Sequence, residues 1–482
     1  MLAAILVLYG LASLLLLAYG INAYLMIYYG LSSRRKNLWE GRDESREGIE
    51  WPPVTVQLPI YNERNVAERV IRAAASMDYP RDRLEVQVLD DSVDDTRQII
   101  DRLAEDLARE GLDIKVVRRE GRGGYKAGAL ANGTEQARGE FMAVFDADFV
   151  PAPDFLQRTL PPFLADSKIA FVQTRWGHLN RRENVLTICL SLGIDGHFHV
   201  EQPARAKGGL FMNFNGTAGV WRRRAIEDAG GWSSRTLTED LDLSYRVQLA
   251  GWKPCYMEDV SVPSELPATI TGAKSQQFRW AKGSIQTAIR NLPRVWARPY
   301  SPLEKVEAFL HLTNYLIHPL MLVLAVLALP LLLTDSLDLP RYFFAVAAVP
   351  ILAATLGPST MYTVAAFRAP QRTLSFLWWL PFLVIYGVGI AVSNTVAVAE
   401  AIAGKSSEFV RTPKKGGRRR SGYRLQGSKV WVFEVLMGVY SIGSILVAVR
   451  NGDYGILPFL VIFAAGFLTV GIRTGLSHTG DA

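Results

Sequence analysis

Five short stretches hold the residues that could do chemistry. FDADF puts Asp146 and Asp148 one residue apart where an apolar run ends. LDDSVDD puts Asp90 and Asp91 at the end of another. GYKAGAL supplies Lys126, TLTEDLDL supplies Glu239 and Asp240 after Thr238, and SQQFRWAKG supplies Gln276, Arg279 and Trp280. Two carboxylates this close repel unless a cation lies beside them. Asp146 and Asp148 are therefore candidates for holding Mn2+ or Mg2+ against a diphosphate. Each stretch also has a plainer reading. A lone Asp-x-Asp is a common solvated strand end, and acidic residues opening a helix cap its free N–H groups. Arg279 and Trp280 near a bilayer could be a snorkelling cation and an interfacial ring.

The elements around these stretches decide between the readings. Strands are expected at 54–61, 83–92, 113–119 and 141–149, with helices at 62–77, about 95–110 and after the Gly-rich turn 120–130. Such alternation implies an α/β fold with a mostly parallel sheet and helices on both faces. Ligands in such sheets sit beyond the strand C-termini. Asn62, Glu63, Asp90, Asp91, Asp146 and Asp148 all fall there. Residues i and i+2 of a strand share a face, so Asp146 and Asp148 should point the same way. On a helix Gln276, Arg279 and Trp280 share a face, and Lys126 opens a helix where N–H groups favour anions.

The rest of the 482-residue chain is apolar at both ends. Residues 1–30 are long enough to span a bilayer and too long for a signal peptide. Spans are also expected at about 311–334, 342–364, 430–449 and 456–474. Arg34, Arg35 and Lys36 place the end of the first span in the cytoplasm. If 374–404 also crossed, the basic stretch 405–420 would lie outside. With Pro381 near its middle and Ser393, Asn394 and Glu400 as a polar stripe, 374–404 reads as re-entrant or interfacial. The expected organisation is a span at 1–30, a linker at 31–50, a cytoplasmic catalytic domain at 51–285, interfacial helices at 286–310, a membrane region at 311–474 and a cytoplasmic tail at 475–482. Five net spans result, six if 374–404 crosses. The net charge of +7 fits attraction to membrane lipids. No nucleic-acid-binding motif accompanies it, and nothing specifies a protein partner. Cys189 and Cys255 are isolated, which argues against a zinc site or a disulfide framework.

In this order, between membrane spans, Asp90-Asp91, Asp146-x-Asp148, Thr238-Glu239-Asp240 and Gln276-x-x-Arg279-Trp280 resemble the membrane-embedded family-2 glycosyltransferases. The phrases QLPIYNE, VQVLDDSVDDT, FNGTAGVWR and EDLDLSYR are most similar to the cellulose-synthase-like A and C branch, the mannan and glucan synthases. The resemblance implies a GT-A-like domain inserted between transmembrane helices. It implies an inverting, metal-dependent, processive β-glycosyltransferase that extends a glycan and passes it across the membrane. UDP-glucose stands slightly ahead of GDP-mannose as donor. The alternative is a non-processive enzyme that glycosylates a lipid, similar to ceramide glucosyltransferases. By resemblance Asp240 is the base with Glu239 beside it, and Asp146 and Asp148 hold the metal. Pro59, Tyr61, Glu63, Asp90, Asp91, Lys126, Asp146, Gln276 and Arg279 bind the nucleotide-sugar donor. Trp280, with Asn215, Gly216 and Thr217, meets the acceptor. Phe409, Val410 and Thr412 resemble a gating loop at 405–425. His197 and His199 are expected on a helix near the acceptor. A compact chain with few extensions points to a bacterial inner membrane.

Overall fold

A computed structural model of the chain describes residues 2–32, 50–334, 343–369, 374–407, 412, 414–417 and 428–479. Its centre is one seven-stranded sheet in the order β3-β2-β1-β4-β6-β5-β7. The strands are β1 (Val54–Ile60), β2 (Leu84–Asp90), β3 (Asp113–Val117), β4 (Phe141–Val144), β5 (Ile169–His178), β6 (Gly219–Arg222) and β7 (Lys253–Ser264). β6 runs antiparallel to both neighbours, and every other pairing is parallel. Both faces are packed, as a parallel sheet requires. β4 shows how the pleat divides the core. Phe141 and Ala143 join Val56, Leu58 and Ile100 on one side, while Met142 and Val144 join Leu130, Phe171 and Trp221 on the other.

Strand β4 is shorter than expected. The predicted strand 141–149 stops at Val144, because its antiparallel neighbour begins only at Gly219. Beyond that the chain turns, and Phe149 N–H donates to the Asp146 carbonyl at 3.0 Å. Asp146 and Asp148 therefore sit in a turn over the strand end, and the shared-face rule for strands does not apply to them.

Among the described residues, five helices are long and apolar enough to cross a membrane: Ala3–Leu31, Asn314–Leu333, Val349–Arg368, Val430–Asn451 and Tyr454–Ser477. The segment expected to be re-entrant is a bent pair, Leu377–Gly389 and Ala391–Ile402, with a 44° angle between its halves. Glycines set the approach of the first helix to Val349–Arg368. A Cβ on Gly20 would lie 2.4 Å from the Ala354 Cα, and one on Gly357 would lie 2.3 Å from the Gly20 carbonyl oxygen. Close backbone contact of this kind supplies packing energy between apolar helices in lipid, where no hydrophobic effect drives them together.

One helix, Ile270–Trp296, joins the two regions and runs through position 285 without a break. Two of its lysines reach membrane-region carboxylates. Lys274 Nζ is 2.7 Å from Glu434, and Lys282 Nζ is 2.8 Å from Glu400; Glu434 and Lys282 are fully buried. Breaking a buried pair by removing one partner costs roughly 3–5 kcal/mol, far more than a surface pair is worth. These pairs therefore fix the helix against the membrane helices.

Candidate active site

The strand ends and the long helix enclose a cavity of about 180 Å3. At one end lie Pro59, near the end of β1, and Tyr61, Glu63 and Asp91, from the turns after β1 and β2. Those turns are tied together. Asn62, at φ +52°, donates its N–H to Ser92 Oγ at 2.9 Å and accepts from Val93 N–H through Oδ1 at 2.9 Å. Asp91 faces the cavity, held by the Arg119 fork at 2.8 and 2.6 Å. Asp90 does not face it. It is buried beneath, accepting from Ser92 N–H at 2.9 Å and paired with Arg118 at 2.8 Å. Its expected donor contact is replaced by a role in holding the turn.

Across the cavity, Lys126 stands at the second position of the helix Tyr125–Gln136. Its ammonium donates to Asp146 Oδ1 at 2.5 Å and to the Gly216 carbonyl at 2.8 Å, with Glu239 3.9 Å away. Burial would lower its pKa, but the carboxylates of Asp146 and Glu239 outweigh that and raise it, so Lys126 stays charged. Thr217 lies under the site rather than in it, accepting the Asp146 N–H on Oγ1 at 2.9 Å. Asp148 accepts from Glu265 N–H at 3.1 Å and from Lys414 Nζ at 2.8 Å.

Glu239 and Asp240 open the helix Glu239–Leu249, and both border the cavity. Burial raises the pKa of both. In Asp240 the Glu239 charge adds to burial and pushes the carboxyl up to about 7. That value suits a proton acceptor working near neutral pH. Gly216 explains how the loop 213–217 comes so near. It sits at φ +80°, and a Cβ there would lie 3.0 Å from Asp240 Oδ2. The helix Glu239–Leu249 is docked on Ile270–Trp296 through Leu237 N–H to Gln286 Oε1 and Asn291 Nδ2 to Asp242 Oδ1, both 2.9 Å. That docking turns Gln276, Arg279 and Trp280 into the cavity together, as their spacing predicts. Burial lowers the Arg279 pKa, while Glu239, Asp146 and Asp240 pull it back up.

A second cavity of about 570 Å3 begins at Asp240, Asn215 and Trp280 and runs between the apolar helices, past Tyr19, Tyr315 and Tyr386. Asn215, Asp240, Gln276 and Trp280 line both cavities.

Among the wall residues that sequence reasoning missed are Arg122, Trp176, Glu265 and Lys414. The Arg122 guanidinium lies 3.3 Å from the centre of the Tyr61 ring. Only its place in the Gly-rich turn hinted at it. Lys414 was hidden in a basic stretch that reads equally well as leaflet attraction. Of the residues expected in a gating loop, Thr412 borders the cavity, while Phe409 and Val410 lie outside the described residues.

The site fits a divalent ion only with help from substrate. Among the described residues no group of three or more His, Cys, Asp or Glu side chains could hold a metal alone. Asp146 and Asp148 offer two hard oxygen ligands on one cavity. Mg2+ and similar ions commonly take their remaining ligands from phosphate and water.

The model of the family described as glycosyltransferase like family 2 matches residues 52–283. Among curated relatives, glucomannan 4-beta-mannosyltransferase 2 of Arabidopsis thaliana is 35% identical over 80% of this chain and 72% of its own. Glucomannan 4-beta-mannosyltransferase 1 of Cyamopsis tetragonoloba is 30% identical over 90% of this chain and 84% of its own. Among solved structures, a mannosyltransferase from Pyrobaculum calidifontis in complex with GDP-Man and Mn2+ has a TM-score of 0.51 at 21% identity. It aligns with 83% of this chain and 100% of its own. The fold is thus GT-A-like, and a site of this kind at its strand ends defines a hexosyltransferase. The chain belongs to glycosyltransferase family 2, alongside the cellulose-synthase-like mannosyltransferases.

Proposed function

We propose that this enzyme transfers mannose from GDP-mannose, with inversion, to a growing β-mannan or glucomannan, and passes the polymer into its own membrane helices. The observation that carries this reading is the junction of the two cavities at Asp240, Asn215 and Trp280. A donor bound on one side and a glycan lying on the other would meet at one carboxylate. UDP-glucose, ahead on sequence alone, gives way to GDP-mannose because the curated relatives are named as mannosyltransferases and the structural neighbour was solved with GDP-Man. Those curated relatives are plant proteins and lend no support to a bacterial inner membrane.

On this reading Asp240 takes the proton from the acceptor hydroxyl, and Glu239 keeps its pKa high enough for that work. Tyr61, Glu63 and Asp91 face the nucleoside. Lys126, Gln276 and Arg279 face the diphosphate, where the guanidinium fork suits phosphate oxygens. Asp146 and Asp148 hold Mn2+ or Mg2+, which when bound offsets the charge gathering on the leaving diphosphate. Trp280 offers its ring to the acceptor sugar. Thr412 and Lys414, at the cavity wall, stand where they would meet the bound donor.

The test is a donor screen on purified full-length enzyme in lipid nanodiscs, with Mn2+, Mg2+ or chelator, and with product sizing. GDP release and a long mannan that does not partition into organic solvent are expected, and chelator should abolish both. A product of one added sugar that partitions into organic solvent would establish lipid glycosylation instead. Faster turnover of UDP-glucose would overturn the donor assignment.

A further inference from the structure

The helical segment from Val185 to Gly208 is α-helical at both ends but widens to a π turn over His197–Glu201. Such turns are rare and gather at functional sites. This one lies against the loop that carries Asn215. His197 Nε2 is 3.0 Å from Asn215 Nδ2, and His197 Nδ1 is 2.8 Å from Glu201 Oε2. Gln202 Nε2 donates to Asn215 Oδ1 at 2.7 Å and to the Asn213 carbonyl at 2.8 Å.

The chemistry at the two ends fixes the direction of every bond between them. The Asn213 carbonyl can only accept, so Gln202 must present its NH2 group there and to Asn215. Asn215 then turns its oxygen to Gln202 and its amide nitrogen to His197. His197 Nε2 must accept, so the ring proton sits on Nδ1 and is donated to Glu201. Glu201 is suited to receive it. Burial would raise its pKa, but Arg205, at 3.0 and 2.8 Å, and the His197 ring together outweigh burial and hold the carboxyl well below the usual range. The Asn215 backbone is fixed separately, donating its N–H to Gln173 Oε1 at 2.7 Å.

We propose that Glu201, His197 and Gln202 are positioning residues that lock the Asn215 side-chain amide in one orientation for the acceptor sugar. A primary amide has two donors and two acceptor lone pairs. These contacts use one of each, leaving one N–H and one lone pair on a residue that borders both cavities. Neighbouring hydroxyls of a hexose offer the matching acceptor and donor. A reversed amide would present its two ends the wrong way round to the sugar, and the fixed histidine tautomer prevents the reversal. The assignment rests on the acceptor reading above and goes beyond it: His197 and Glu201 also line the second cavity, and the role assigned to them here acts through Asn215.

Two measurements test it. The first needs no activity. In enzyme labelled with 15N-histidine, which has only six such residues, His197 is assigned by loss of its signal in His197→Gln. Its Nε2 should carry no proton and its Nδ1 should carry one; a proton on Nε2 overturns the proposal. The second compares transfer to an oligosaccharide with hydrolysis of the donor by water. His197→Phe should lower the transfer-to-hydrolysis ratio roughly tenfold, on the scale of one buried hydrogen bond. His197→Gln, whose Oε1 can still accept from Asn215, should restore most of it. Equal loss in the two variants, or an unmoved ratio in the Phe variant, would also overturn it. The donor screen on the unaltered enzyme judges the reaction itself, so the two failures are told apart.

Discussion

Replacing Asp240 by Asn should harm catalysis and help stability, each with its own pH dependence. Removing a positioned base typically costs about 10²–10⁴ in rate. Unaltered enzyme should lose turnover as pH falls through about 7, where Asp240 takes up its proton. The Asp240→Asn variant should keep a low rate without that inflection. Stability moves the other way. The folded pKa of Asp240 lies above its unfolded value near 3.8, so ionisation is disfavoured in the folded protein. The resulting penalty is absent below the unfolded pKa, grows as pH rises between the two values, and is complete above about 7. A shift of this size corresponds to at most about 4 kcal/mol. Asp240 is open to the cavity on one side, so solvent screening reduces the figure to about 1–2 kcal/mol. The assay is thermal unfolding of the purified enzyme at pH 5 and pH 8. The variant should gain more in Tm at pH 8 than at pH 5. An equal gain at both, or a rate inflection near 7 that survives in the variant, would refute the reasoning.

Three further perturbations follow. Gly216→Ala forces a Cβ to 3.0 Å from Asp240 Oδ2 at φ +80°; backbone strain of about 1–2 kcal/mol and displacement of the base should cut turnover at least tenfold, with kcat falling more than donor KM rises. Lys414→Ala frees Asp148 from a charge-assisted hydrogen bond; with GDP present, Mn2+ binding followed by electron paramagnetic resonance should tighten roughly tenfold. Lys274→Met strands Glu434 as a buried charge and should destabilise by about 3–5 kcal/mol, while adding Glu434→Met should recover most of the loss in Tm.

The sequence was most informative where one residue type has one common reason to be present. Alternation of strands and helices placed the carboxylates at the strand ends. The spacing of Gln276, Arg279 and Trp280 fixed their common face on a helix that is indeed continuous there. What it concealed depended on partners distant in the chain. Asp90 and Asp91 look equivalent side by side, yet Arg118 draws one into the protein and Arg119 holds the other at the cavity. The end of β4 was misjudged because apolar Phe145 and Phe149 continue the pattern, whereas the length of a neighbouring strand sets the limit. Lys414 was unreadable since a basic loop gives no sign of which lysine meets a carboxylate far upstream. The π turn at His197 has no spacing signature at all.

The two lysines of Ile270–Trp296 bear on how the molecule can be divided. A boundary drawn near residue 285 looks natural on paper, because the family match ends at residue 283. Yet Lys282 is wholly enclosed, and its counter-charge, Glu400, belongs to the bent helix pair. A catalytic fragment cut free of the membrane region would carry two bare ammonium groups, one on either side of Arg279 along the helix. The smallest unit that can be expected to work is the whole chain in a bilayer or its mimic, and an excised soluble domain is a poor surrogate for inhibitor screening or engineering of sugar specificity.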